Sequence, residues 1–84
     1  MQNRIALIGI IVENENSTEQ LNKILHDYKD CIVGRMGIPY RTRGISVISI
    51  VIDAPNNDIS ALTGRIGMLE GVSAKALYSK VEEK

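Results

Sequence analysis

His26 and Cys31 are the side chains of this sequence best suited to bind a transition metal or to act as a nucleophile and its base. The chain holds no other histidine or cysteine. A metal site needs three or four ligands, so these two side chains cannot complete one within a single copy. We therefore expect a surface histidine, a buried structural cysteine and no bound metal or other cofactor. A site shared between several copies of the chain stays open as an alternative.

Groups arranged for acid–base or nucleophilic catalysis are missing from the sequence. No Gly-x-Ser-x-Gly motif surrounds a serine, and no glycine-rich phosphate loop follows the first apolar run. Neighbouring carboxylates occur only at Glu13 and Glu15, in a predicted loop, and at Glu82 and Glu83, in a predicted tail. The sequence predicts a protein that is not an enzyme, and an active site assembled across subunits is the weaker alternative.

One segment, residues 34–43, gathers groups that bind anions. Its sequence is Gly-Arg-Met-Gly-Ile-Pro-Tyr-Arg-Thr-Arg. Glycine lets a ligand approach the backbone closely, and a guanidinium forks onto carboxylate or phosphate. The predicted binding residues for a small anionic ligand are Arg35, Gly37, Tyr40, Arg41 and Arg43. The alternative interpretation is a twisted edge strand and hairpin whose charges prevent further strand pairing.

Composition argues against nucleic-acid and membrane partners. Ten basic and ten acidic residues give a net charge of zero, so no long-range field attracts polyanions or anionic lipid. Phe and Trp are absent, which removes the aromatic platform on which related sheets stack RNA bases. The apolar run at residues 5–12 is less than half of a membrane span. A single cysteine and the absence of a signal-peptide pattern predict a cytoplasmic location.

The elements that must position these residues are four strands and two helices. β-branched and apolar runs predict strands at residues 5–12, 31–38, 45–52 and 72–79, the second of them ended by Pro39. Apolar residues at helical spacing predict a first helix through Leu21, Ile24, Leu25 and Tyr28, and a second through Ile59, Leu62 and Ile66. A capping box of Ser17 and Gln20 is predicted to begin the first helix. The second is predicted to start around Asp53 to Pro55.

The element order is therefore β-α-β-β-α-β. This order predicts an α+β protein with the ferredoxin-like two-layer sandwich, in which both helices cover one face of an antiparallel sheet. Residues 1–84 are predicted to form one domain, with residues 80–84 as a frayed tail. The first and third strands lie at the centre of the sheet in this topology.

Both faces of the two central strands are apolar. Their even-numbered residues suit the face that the helices cover, and the odd-numbered face carries no charge although no third layer covers it. The sequence therefore predicts a homo-oligomer, a dimer or a tetramer, that buries this face. The predicted interface residues are Ile5, Leu7, Ile11, Val47, Ser49 and Val51. Arg35, Ser73 and Lys75 on the edge strands are predicted to form a polar rim around them.

Four strings of the sequence are similar to those of the iron-only hydrogenase system regulator family. They are Ile-Gly-Ile-Ile-Val-Glu at 8–13, Gly-Arg-Met-Gly-Ile-Pro-Tyr at 34–40, Ser-Val-Ile-Ser-Ile-Val-Ile-Asp-Ala-Pro at 46–55 and Gly-Met-Leu-Glu-Gly-Val at 67–72. The resemblance extends over nearly the whole chain. It implies a free-standing ACT-type domain, akin to the C-terminal domain of nickel-responsive regulators, with a regulatory role.

Residues and resemblance together predict a non-enzymatic regulatory module. In this hypothesis an ACT-like homo-oligomer binds a small effector or a partner protein and regulates an iron-only hydrogenase system. The alternative is a structural or assembly factor that docks onto hydrogenase-maturation proteins without a small ligand. The sequence shows no helix-turn-helix or ribbon-helix-helix segment, so DNA recognition would need a partner protein.

Overall fold

Four antiparallel strands form one sheet, and two helices cover one of its faces, in a computed structural model that describes residues 2–80. The elements are β1 (Asn3–Val12), α1 (Thr18–Asp27), β2 (Ile32–Tyr40), β3 (Ile45–Pro55), α2 (Asn56–Gly67) and β4 (Val72–Tyr78). Short 3-10 turns at Glu15–Ser17 and Arg41–Arg43 precede α1 and β3. The predicted βαββαβ order and ferredoxin-like class are confirmed. Residues 81–84 of the predicted frayed tail, which include Glu82 and Glu83, lie outside the described residues.

The strand order across the sheet is β2-β3-β1-β4. β1 and β3 are the central strands, as predicted, and Leu7 of β1 lies between Val51 of β3 and Leu77 of β4. The even-numbered side chains from Ala6 to Val12 of β1 and from Ile48 to Ala54 of β3 are buried against the helices, together with Leu21 and Leu25 of α1 and Ile59, Leu62 and Ile66 of α2. The core therefore fills the layer between helices and sheet, and no layer formed by residues 2–80 covers the opposite face. We call that opposite face the open face.

β2 and β3 both extend further than predicted. Pro39 does not end β2, which continues to Tyr40, because an edge strand tolerates a residue without a backbone N–H. Residues 53–55 continue β3 instead of starting the second helix, because β1 reaches back to Asn3 and pairs with Pro55. The helix α2 then begins at Asn56.

The predicted capping box at α1 is wrong. Ser17 is the N-cap residue, but its side chain makes no capping bond. Its hydroxyl is buried and donates to the backbone oxygen of Glu70 at 2.6 Å. The loop between α2 and β4 packs against the start of α1, and the Ser17 hydroxyl bonds to this loop instead of capping the helix. The spacing of residues in the sequence cannot indicate such a tertiary contact.

A bulge in β2 reverses the faces of its side chains. Ile32 pairs with Ile52, but Gly34 pairs with Val51, so the register shifts between them. An extra residue in one strand moves every later side chain to the other face. Arg35 therefore pairs with Ile50 on the helix side and donates to Asn22 Oδ1 at 3.1 Å. The prediction that Arg35 lies on the rim of the open face is wrong.

Within residues 2–80, neither helix is long and apolar enough to cross a membrane.

Candidate functional site

The open face carries most of the exposed large apolar side chains among residues 2–80. Ten such side chains are exposed, and Val33 and Met68 are the two that lie elsewhere. The eight on the open face are Ile5, Leu7, Ile11, Met36, Ile38, Tyr40, Val47 and Leu77, with exposed fractions from 38% to 70%. Four of them were not among the predicted interface residues: Leu77 of β4, and Met36, Ile38 and Tyr40, which the bulge in β2 brings to this face.

The residues predicted for a subunit interface lie together on this face. Along the central β1–β3 pair, Leu7 stands opposite Val51, Gly9 opposite Ser49 and Ile11 opposite Val47. Ile5 continues the same row beside Asp53. Cross-strand neighbours on one face lie about 4.5–5.5 Å apart between Cβ atoms, so the apolar side chains form one continuous surface.

A shallow hollow interrupts that surface at Gly9. A Cβ placed on Gly9 would meet no atom within 4 Å. Ser49 and Lys75 flank the glycine on the neighbouring strands, and the hollow around them measures about 360 Å³. A second hollow of about 370 Å³ lies beside Leu7 and Leu77, toward the other end of β4. Both hollows are open to solvent and have apolar walls, so they can receive side chains from a facing surface.

Two charged side chains accompany the open face at separate places. Lys75 of β4 is exposed and stands beside Gly9. Asp53 of β3 is half-buried and stands beside Ile5. The Oδ1 atom of Asp53 is fully buried and has no hydrogen-bond partner among the described residues. A buried carboxylate oxygen without a donor is costly, and native proteins usually satisfy it.

The five predicted anion-binding residues are distributed over three places. Arg35 and Gly37 lie on the helix side of β2, where they pair with Ile50 and Ile48. Tyr40 lies on the open face, and Arg41 and Arg43 belong to the exposed 3-10 turn before β3. A groove of about 270 Å³ on the helix side is lined by Asn22, Leu25, His26, Lys29, Ile32 and Arg35. The fold thus brings Arg35 next to His26 and Lys29 but not next to the other two arginines.

His26 and Cys31 do not join other metal-binding side chains. His26 is exposed near the end of α1, and Cys31 is half-buried just before β2. Among residues 2–80 no group of three or more His, Cys, Asp or Glu side chains could hold a metal ion. Any metal bound by these two residues would need ligands from beyond residues 2–80 of the same chain, for example from another copy.

Sequence reasoning missed the contacts that hold the two helices together at the surface. Arg65 of α2 lies 3.2 Å from Asp27 Oδ2 and its guanidinium carbon lies 5.7 Å from the ring centre of Tyr28. Hydrogen bonding to Tyr28, followed by that to Asp27, raises the pKa of Arg65. Arg65 and Asp27 are 38 positions apart, so no local spacing could have indicated the pair.

This fold, with two helices on one side of a β2-β3-β1-β4 sheet, defines an ACT-like domain. The ACT domain of a GTP pyrophosphokinase from Chlorobium tepidum superposes with a TM-score of 0.75 at 22% identity, covering 90% of this chain and all of that one. Uncharacterized protein TM1266 from Thermotoga maritima superposes with a TM-score of 0.90 at 31% identity, covering 94% of this chain and all of that one.

A family model then identifies the group within this class. The TM1266-like model, described as "Iron-only hydrogenase system regulator, putative", matches residues 4–76, and the chain belongs to that family. The resemblance seen in the sequence is thereby confirmed. Proteins of Saccharolobus islandicus named "Putative nickel-responsive regulator" are 27% identical over 79 residues, which are 93% of this chain. The chain spans 59% of the length of these relatives.

Proposed function

We propose that this chain is a non-enzymatic regulatory domain that works as a homo-oligomer and regulates an iron-only hydrogenase system. Its family is described as a regulator of that system, and its fold is ACT-like. The observation that carries the oligomer is the open face, with its eight exposed apolar side chains. We place the protein in the cytoplasm, because its one cysteine leaves no intrachain disulfide to form.

The energetic argument for association rests on the size of this apolar surface. Full burial of one large aliphatic side chain is worth about 1.5–3 kcal/mol. Covering eight side chains that are now roughly half exposed would contribute several kcal/mol. A small domain has a total stability of about 5–15 kcal/mol, so the gain is substantial on that scale. Association through Ile5, Leu7, Ile11, Val47, Ser49 and Val51 is the arrangement we propose.

For the input to this regulator we propose a small anionic effector or a partner protein. Arg35, His26 and Lys29 border one groove, so a carboxylate or phosphate there would meet cationic donors. Arg41, Arg43 and Tyr40 at the β2–β3 connection would extend such a site only if a second copy or a partner met that end of the sheet. The effector would then lie at a boundary between chains.

The alternative is an assembly factor that docks onto hydrogenase-maturation proteins and takes no small ligand. The breadth of the open face favours it, because a continuous apolar surface with shallow hollows suits a protein partner as well as it suits a second copy. An effector screen separates the two functions. Amino acids, nucleotides and metal ions would be tested by thermal shift and then by calorimetry.

A saturable shift that Arg35→Ala abolishes would support the effector-binding regulator. No shift across the panel, together with co-purification of maturation proteins that Arg35→Ala leaves unchanged, would favour the assembly factor instead. The oligomer is tested separately by light scattering on the wild type and on Leu7→Lys/Val47→Lys. We expect a dimer or tetramer that the double variant dissociates, while Glu19→Lys on the exposed face of α1 leaves it intact. A wild-type monomer would contradict the proposed oligomer.

A further inference from the structure

We propose that two copies of the chain pack open face to open face on a two-fold axis at Leu7, so that Asp53 of each subunit pairs with Lys75 of the partner subunit. This inference rests on the proposed homo-oligomer and specifies how its subunits meet. Three observations carry it: the positions of the two charges, the unpaired oxygen of Asp53 and the hollow at Gly9.

The positions of the two charges are symmetric about Leu7. Asp53 stands beside Ile5, two residues before Leu7, on the β3 side of β1. Lys75 stands beside Gly9, two residues after Leu7, on the β4 side. Leu7 therefore marks the midpoint of the line that joins them. Consider a two-fold axis that runs parallel to the sheet, passes over Leu7 and is perpendicular to this line. A rotation about this axis exchanges the two positions.

That symmetry means that one rotation creates two ion pairs. When the faces meet, each Asp53 lies opposite the Lys75 of the other subunit, and Leu7 meets Leu7 on the axis, as an isologous interface requires. Asp53 and Lys75 of one subunit cannot pair with each other. With strands about 4.8 Å apart and about 3.4 Å of rise per residue, they lie roughly 17 Å apart across the face.

The polar groups themselves favour this arrangement. Asp53 Oδ1 is buried without a donor, and no ion pair of Lys75 occurs among the described residues. An unpaired carboxylate beneath an apolar interface would destabilise the dimer, whereas an ammonium from the facing subunit would pair with the charge of the half-buried Asp53 carboxylate. The long side chain of Lys75 can cross the layer between two packed sheets, which lie about 10 Å apart.

The shape of the face agrees with the same rotation. With the strand spacing and rise given above, the strands of the two subunits cross at about 70°, nearer to orthogonal than to aligned sheet packing. Val51 of one subunit then lies over the hollow at Gly9 of the other, where a Cβ would meet no atom within 4 Å. Leu77 falls against Ile5 in the same way. The far end of the open face, with Ile38, Tyr40 and Val47, lies outside this contact. Val47, which belongs to the proposed interface, would then be buried in a second contact in a tetramer.

The experiment is a charge exchange between subunits. Asp53→Lys alone places Lys opposite Lys, and Lys75→Asp alone places Asp opposite Asp, so each single variant should dimerise more than about tenfold more weakly than the wild type. Both pairs are restored, with reversed signs, in the double variant Asp53→Lys/Lys75→Asp. Mixing the two single variants restores them as well, because each heterodimer then holds two Lys–Asp pairs. We therefore expect heterodimers in clear excess over the statistical mixture, measured by native mass spectrometry.

Controls keep the possible failures apart. Circular dichroism checks that each variant folds, and the milder Asp53→Asn replaces Asp53→Lys if needed. The control Lys23→Asp changes an exposed charge of α1 on the other side of the molecule and should dimerise like the wild type. Single variants that dimerise as tightly as the wild type, or a statistical mixture of subunits, would overturn this geometry while the oligomer itself stands. A wild-type monomer would remove the oligomer too. Titration with inorganic phosphate tests the remaining possibility. If the monomer binds phosphate and Lys75→Asp abolishes that binding, the hollow beside Lys75 is an anion site and the proposed pairing is overturned.

Discussion

Gly71 lies so close to Asn14 that a Cβ atom added to it would stand 2.6 Å from the Asn14 Cβ. Gly71 also has a φ of +70°, a conformation that side chains disfavour. Around this contact, the Glu13 N–H donates to the Gly71 oxygen at 2.7 Å and the Asn14 amide donates to Glu70 at 3.2 Å. The loop after β1 and the loop before β4 are thus fastened together at one end of the sheet.

Replacing Gly71 by alanine should therefore destabilise the protein markedly. The positive φ alone costs about 1–3 kcal/mol in a residue with a side chain, and the contact with Asn14 adds to it. We expect Gly71→Ala to lower the free energy of unfolding by more than about 2 kcal/mol, measured by urea denaturation. The matched control is Gly64→Ala in α2, where a Cβ meets nothing within 4 Å and should raise stability by about 0.5–1 kcal/mol. Equal stabilities of the two variants would contradict the claim that the close contact of Gly71 with Asn14 holds the two loops together.

The same junction gives Ser17 a structural role that its position in the sequence does not indicate. Its buried hydroxyl donates to the Glu70 backbone oxygen at 2.6 Å, so Ser17→Ala removes a donor and leaves that oxygen unpaired. We expect a loss of about 1–3 kcal/mol in the free energy of unfolding. Ser60→Ala, at an exposed position of α2, should leave stability unchanged or slightly higher. An unchanged free energy of unfolding in Ser17→Ala would show that the hydrogen bond contributes little to stability.

Alternation along the strands and helical spacing were enough to predict most of the fold. From Ala6 in β1 and from Ile48 in β3 onward, the even-numbered residues are buried and the odd-numbered ones form the open face, because a strand repeats every two residues. Alternation failed at β2, where one extra residue between Ile32 and Gly34 inverts every face that follows. The sequence there offers only a glycine, and glycine alone does not specify a bulge.

The consequence for the candidate site is direct. Arg35 lies on the helix side and not on the open face as predicted. Met36, Ile38 and Tyr40 lie on the open face instead. The edge that was predicted to be polar on this side is therefore apolar, and the uncovered surface is larger than the sequence indicated. The contacts of Ser17 and Arg65 were missed for another reason, since their partners are 53 and 38 positions away.

The hollow at Gly9 leads to a prediction that separates folding from association. Nothing lies within 4 Å of a Cβ at this position, and valine is favoured in strands, so Gly9→Val should fold at least as stably as the wild type in dilute solution. The added side chain fills the hollow that should receive Val51 of a second copy. We expect the dissociation constant of the dimer to rise more than about tenfold, measured by sedimentation velocity over a dilution series. Unchanged association with normal folding would show that the hollow is not part of the interface.

Thermal stability should depend on protein concentration if the open face is buried between subunits. Binding that occurs only in the folded state stabilises it by mass action, so a hundredfold increase in concentration contributes about 2.7 kcal/mol per dimer. For chains of this size, that corresponds to a rise in Tm of roughly 5–10 °C. Leu7→Lys/Val47→Lys should show no such dependence, because lysines on the open face prevent the contact while the core side chains on the helix side stay in place. Differential scanning calorimetry between micromolar and hundred-micromolar protein provides the measurement. A constant Tm for the wild type would mean that the folded chain does not associate in this range, and the eight exposed side chains would then need another partner.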